Sequence, residues 1–183
     1  MGYSAARYYN YSKKAVAGKQ GYVMQKNDVQ KIVIRQADLE DLELLSPLFD
    51  EYRVFYRQAS DLDGARAFLE ERLRLKESVI LLAVEEAGDQ RRAAGYTQLY
   101  PSFSSVSLQR LWILNDLYVN EKFRGVGIGS RLLESAREYA MRTGSKGLTL
   151  TTATDNNMAQ HLYESNGYIR DEDFYTYDLF FQK

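Results

Sequence analysis

The run LWILNDLYV, residues 111–119, passes through RGVGIG, residues 124–129, into the helix-like run SRLLESAREYAMR, residues 130–142. This order constrains the fold more than any other feature of the chain. A strand that leaves its sheet through a helix must be followed by a strand parallel to it. The next strand-like run, GLTLTTA (147–153), is therefore predicted as a parallel neighbour. Three strand-like runs in series come before the helix: SVILLAVEE (78–86), AAGYTQLYPSF (93–103) and RLWILNDLYV (110–119). They are predicted to pair antiparallel, with Gly88-Asp89 and QRR as a polar turn, Pro101 as a strand end and SSVSLQ as a loop.

The flanking patterns complete the order. IVIRQA (32–37) reads as a short strand. Leu42, Leu45, Leu48, Phe49 and Tyr52 recur at helical spacing, with Asp38 as N-cap and Pro47 as a kink or the end of a first turn. Asp61 caps a second predicted helix over residues 62–76. A helix over NNMAQHLYESN (156–166) is stopped by Gly167. YIRD (168–171) and FYTYDLFF (174–181) are predicted as two closing strands. The sum is β-α-α-β-β-β-α-β-α-β-β, an α/β fold of mixed type: a mostly antiparallel central sheet with helices on both faces. Residues 31–183 are expected to form one domain. Residues 1–30 hold Arg7, Lys13, Lys14, Lys19 and Lys26 against Asp28, and they hold five tyrosines. That stretch is either a flexible extension or a basic aromatic arm for RNA or a partner.

Composition excludes several chemistries. The chain has no cysteine, so disulfides, thiolate metal sites and a cysteine nucleophile are out. Its only histidine is His161, which removes multi-histidine metal sites, and no metal is expected. The net charge of -1 gives no general pull toward nucleic acid or anionic lipid. No apolar run approaches the ~20 residues needed to span a membrane. The first residues lack a signal-like apolar stretch, and a cytoplasmic protein is expected.

Three of the 12 glycines fall within RGVGIG. Backbone amides that converge at a helix N-terminus suit an anion, and glycines let it approach closely. A plain glycine-rich turn is the bland alternative. The dinucleotide fingerprint fails, because the third glycine comes one residue early and Gly147 stands where an acid is wanted. The phosphate loop fails too, because no Lys-Ser/Thr pair follows.

The stretch instead resembles the acyl-CoA-binding signature of the GNAT superfamily of N-acyltransferases, [QR]-x-x-G-x-[GA], at Arg124, Gly125, Val126, Gly127, Ile128 and Gly129. A second family pattern, N-x-x-A-x-x-x-Y-x-x-x-G-[FY], matches Asn156, Ala159, Tyr163, Gly167 and Tyr168. The likeness extends over roughly residues 31–180 and leans toward the histone/polyamine acetyltransferase branch through NDLYV and LYPSFSS. It implies an acetyl-CoA-dependent N-acetyltransferase acting on a small-molecule amine or lysine-like acceptor. A CoA-binding module without chemistry is the alternative.

By the same resemblance, amides from Gly125 to Ser130 grip the CoA pyrophosphate, and Asn156 and Ala159 lie in the second CoA motif. The strands NDLYV and LTLTT splay, and pantetheine bonds the main chain of Leu117, Tyr118 and Val119. Tyr163 is the implied acid for the departing thiolate. The general base is open. Relatives carry Glu where this chain has Asn115, which takes no proton, so Asp116 is the candidate. Neighbours on a regular strand face opposite ways, so Asn115 and Asp116 share a face only if a bulge intervenes. Tyr52, Tyr56, Tyr100, Ser102, Phe103 and Asn115 are the expected acceptor-binding residues, with Asp50, Glu51, Asp61 and Asp63 as acids nearby. The resemblance also allows a homodimer through the aromatic C-terminal run.

Overall fold

The computed structural model describes residues 31–88 and 90–181. They fall into two units, residues 31–150 and 151–181. The basic segment 1–30 lies outside the described residues.

In the first unit, five strands form one sheet in chain order: β1 (Ile32–Gln36), β2 (Val79–Ala87), β3 (Gln90–Ser104), β4 (Gln109–Val119) and β5 (Ser145–Thr149). β1 to β4 pair antiparallel, and β5 runs parallel to β4, as the helix between them requires. Three helices accompany the sheet: α1 (Leu42–Phe55), α2 (Leu62–Arg74) and α3 (Ile128–Arg142).

Strand alternation divides the apolar residues between two faces. Ile80, Leu82, Val84, Tyr96 and Tyr118 bury against Leu42, Leu45, Leu48 and Phe49 of α1 and Ala65 and Leu69 of α2. Each fully buried leucine here contributes about 1.5–3 kcal/mol. The opposite face packs on α3, whose Leu132, Leu133 and Ala136 are buried. On that face the Trp112 indole donates to the Thr143 hydroxyl at 2.9 Å and meets Tyr139 edge-on.

Local signals explain most boundaries. Asp38 caps as expected, accepting from the Glu40 N–H at 2.8 Å. The turn it caps is a separate 3₁₀ turn, Leu39–Asp41, whose Asp41 accepts from the Asp38 N–H and pairs with Arg35. Pro47 lies inside α1 and does not set this break. Asp61 caps α2, accepting from the Gly64 N–H at 2.9 Å.

Two expectations need correction. β3 does not stop at Pro101 but continues to Ser104. The pairing of β2 with β3 ends at Val79 opposite Leu99, so beyond Tyr100 β3 is an edge on that side, where a missing N–H is tolerated. The two closing strands do not form. Among the described residues, 168–181 contain no strand, and Phe174, Tyr175, Tyr177 and Phe181 are exposed. Alternation describes an extended amphipathic segment, but a strand also needs a neighbour to receive its hydrogen bonds.

One glycine is required by close approach. A Cβ on Gly95 would sit 2.8 Å from the Tyr118 carbonyl oxygen and 3.3 Å from Leu132. Gly95→Ala is expected to destabilise the fold by roughly 1–3 kcal/mol in urea unfolding. An unchanged midpoint would show that β3, β4 and α3 are not packed this closely.

Candidate functional site

The antiparallel register of β3 and β4 pairs Gln98 with Asp116 and Leu99 with Leu114. Asn115 is thus the extra residue of a β-bulge. Before the bulge, Trp112 and Leu114 turn toward α3. After it, Asp116 and Tyr118 turn toward α1, although all four positions are even. The bulge also brings the two neighbours together: the Asn115 amide donates to an Asp116 carboxylate oxygen at 3.1 Å. This is the one geometry in which Asn115 and Asp116 share a face.

Asp116 is 4% exposed. Tyr52 of α1 donates its hydroxyl to the carboxylate. The Asp116 carbonyl, displaced by the bulge, accepts from the Thr97 hydroxyl at 2.8 Å. Burial pushes the Asp116 carboxyl above its ordinary value, and the Tyr52 and Asn115 donors partly offset this. β3 lines the same face with Tyr96, Gln98 and Tyr100. The Gln98 amide donates to the Tyr100 oxygen at 2.6 Å. Burial, then the Asp116 charge, pushes the Tyr100 hydroxyl up to about 12, and Tyr96 rises for the same two reasons.

The same strand offers an open edge. β5 pairs with β4 only from Arg110 to Ile113. From Leu114 to Val119 the groups pointing away from β3 have no strand of this sheet beside them. At the carboxyl end of β4 the Arg124 guanidinium donates to the Val119 carbonyl at 3.0 Å, pairs with Glu121 at 3.7 Å and lies over the Tyr118 ring. Asn120 caps the short turn Glu121–Phe123, accepting from the Lys122 N–H.

Gly125 and Gly127 then take φ of +80° and +85°, which side chains rarely adopt. A Cβ at either would meet nothing within 4 Å, so the turn borders open space. Gly127 is the N-cap of α3 and offers no side chain to its first amides. The ladder of α3 begins with the Arg131 N–H donating to the Gly127 carbonyl. Ile128 and Gly129 therefore present their amides ahead of it, where the helix dipole is positive. Such a cradle can receive an anionic group such as a diphosphate.

The other candidates separate. Tyr52 and Tyr56 pack edge-on at 4.8 Å, and Tyr52 also meets Tyr96 and Tyr118. Ser102 follows Tyr100 on the same face of β3. Phe103 turns to the opposite face, where Arg110 lies between its ring and that of Trp112. Asp50 is structural: it accepts from Ser60, the Asp61 N–H and Arg53, which ties α1 to α2 and holds its carboxyl below the ordinary value. Glu51 accepts from Asn120.

In the second unit, α4 (Asn157–Ser165) is capped by Asn156, which accepts from the Ala159 N–H at 3.2 Å. Gly167 follows with φ +86°. Tyr163 is half-buried beside Tyr168, and burial raises its hydroxyl. Three residues at the acid escaped the sequence reading: Tyr96, Thr97 and Gln98. Their only signal was polar residues within an otherwise buried strand.

Comparison with known proteins gives a consistent picture. The acetyltransferase (GNAT) family model matches residues 45–168. An uncharacterized N-acetyltransferase of Bacillus subtilis (strain 168), YhfO, is 54% identical over 146 residues, covering 80% of this chain and 95% of that protein. The D-amino-acid N-acetyltransferase HPA3 of Saccharomyces cerevisiae is 27% identical over 149 residues, covering 79% and 89%. The crystal structure of a probable acetyltransferase superposes with a TM-score of 0.77 at 47% identity, covering 82% of this chain and 99% of that one.

The buried carboxyl has a cost that can be measured. Because its folded value is raised, the folded chain holds the proton more tightly, and stability falls as pH rises from the unfolded toward the folded value. Asp116→Asn removes that loss. The melting temperature of Asp116→Asn minus that of the parent is expected to grow as pH rises above about 4, at about 2–4 °C per kcal/mol. A difference that is flat or shrinks with pH would contradict the burial of a charged Asp116.

Proposed function

This chain belongs to the acetyltransferase (GNAT) family, and we propose that it transfers an acetyl group from acetyl-CoA to the primary amine of a small-molecule or lysine-like acceptor, directly, with both bound. One observation carries the reading. β4 and the turn after it supply an open backbone edge, a buried carboxylate and a glycine cradle within residues 114–129.

Acetyl-CoA, when bound, supplies the activated acyl thioester. In this proposal, the amides at Gly125 to Ser130 receive its diphosphate, with the α3 dipole adding to them. Val126 and Ile128 shape the turn, and Arg124 braces the end of β4. The main chain of Leu117, Tyr118 and Val119 bonds the pantetheine arm as an added strand would. Asn156 and Ala159 join the cofactor site on the strength of their motif.

An alkyl amine is protonated near neutral pH and must lose a proton before it attacks. Asp116 takes that proton, directly or through water, and its raised affinity suits it to the task. Tyr163, on its motif position, donates a proton to the leaving sulfur. Tyr52, Tyr56, Tyr100, Ser102 and Asn115 form the acceptor side, where aromatic rings favour a cation. Phe103 is outside this group, on the other face.

The strand LNDLYV supports the narrower likeness to the histone/polyamine branch without choosing an acceptor. A cytoplasmic setting belongs to the same proposal. So does a homodimer, for which the exposed aromatics between residues 174 and 181 supply apolar surface.

Thiol release from acetyl-CoA across a panel of primary amines tests the activity. Turnover is expected with at least one amine, and Asp116→Asn should lower it roughly 10²–10⁴-fold. Tight CoA binding with no thiol release for any amine would leave a binding module instead. In the same assay, Tyr163→Phe should reduce turnover by about 10²-fold with little change in CoA affinity. Full turnover in that variant would remove Tyr163 from the chemistry.

A further inference from the structure

We propose that Tyr52 and Asn115 are positioning residues that hold Asp116 in its ionised, proton-accepting state by donating hydrogen bonds to its carboxylate from two separate elements. The inference rests on the reading of Asp116 as the proton acceptor.

The geometry is specific. Tyr52 reaches the carboxylate from α1, across the face of the sheet. Asn115 reaches it along β4, and only because the bulge sets both side chains on one face. Neither residue forms a salt bridge with Asp116. Among the described residues, no cation contributes to its ionisation. Tyr118, two residues along β4, shares its face, and three further groups face it from β3. Tyr96 and Tyr100 are hydroxyls whose own ionisation the Asp116 charge opposes, and Gln98 lies directly opposite with its amide committed to Tyr100. These three keep water out and push the carboxyl toward its protonated form. Tyr52 and Asn115 push the other way.

The ring of Tyr52 is itself fixed. It packs against Phe49, Tyr56, Tyr96 and Tyr118 with ring centroids 4.8 to 6.2 Å away. Its hydroxyl is therefore delivered to the acid by the core of the α1 face. Asn115 is the exposed member of the pair. An asparagine at this position is thus no loss of the site's chemistry. It supplies a donor to a carboxylate one residue along, where a glutamate would supply a second negative charge.

A merely structural role and a positioning role differ in the pH profile. Removing a donor to the ionised form raises the proton affinity of the carboxyl, so the rising limb of kcat must move to higher pH. With one amine used throughout, the amine's own ionisation is common to all variants. Tyr52→Phe is expected to move the limb up by about one pH unit, and Asn115→Leu by about half a unit. The readout is the position of the limb and not its plateau, because both residues also stand on the acceptor side, where a substitution changes plateau kcat and the KM for the amine.

A limb that stays in place in both variants would overturn the proposal, even if kcat fell. Asn115 is exposed, so its variant tests the idea should Tyr52→Phe fail to fold. Two results would instead sink the base assignment and this inference together: undiminished turnover in Asp116→Asn, or no turnover of any amine by the parent. An Asp116→Asn loss with unmoved limbs would remove this inference alone.

Discussion

The site depends on one extra residue in a strand. Without the bulge at Asn115, β4 would alternate regularly, and placing Trp112 against α3 would also place Asp116 and Tyr118 there. Tyr118 would then leave the α1 face, and Asp116 would lose Tyr52. The bulge lets one strand serve both sides of the sheet. Its first half anchors α3 through Trp112, and its second half faces the aromatic wall of α1. The displaced Asp116 carbonyl is not left unsatisfied, because the Thr97 hydroxyl bonds it. A local irregularity thus has its own polar compensation, as buried backbone groups require.

The same strand loses its parallel neighbour where the site begins. β5 stays with β4 as far as Ile113, and the bulge follows two residues later. The open edge, the turned carboxylate and the glycine cradle are consequences of a single stretch of chain. In the proposed reading, their joint placement, more than any one of them, supports a cofactor site over a plain glycine-rich turn.

Much of this was legible in the sequence. The parallel return after α3 follows from the crossover, and the caps at Asp38 and Asp61 follow from short polar side chains before apolar periodicity. The glycine turn before α3 was legible in RGVGIG, where Gly125 and Gly127 take the positive φ that glycine permits. What was not legible depends on pairing between distant residues. A bulge is a mismatch between two strands, and neither LNDLYV nor TQLYPS carries it alone. The place where β3 becomes an edge strand, which decides whether Pro101 ends it, depends on the length of β2. The closing strands were read from alternation in FYTYDLFF, but alternation does not supply a partner. Phe103 was grouped with Tyr100 by nearness along the chain, although three residues of strand put them on opposite faces.

In the proposed reading, the segment from β4 through the glycine turn holds CoA by its backbone. Titration of ¹⁵N-labelled protein with CoA, followed by amide resonances, tests it directly. The amides of Gly125, Gly127 and Gly129 are expected to shift together with those between Leu117 and Val119, while that of Gly144, at the far end of α3, stays in place. Binding of CoA that leaves the glycine-turn amides unmoved would contradict it.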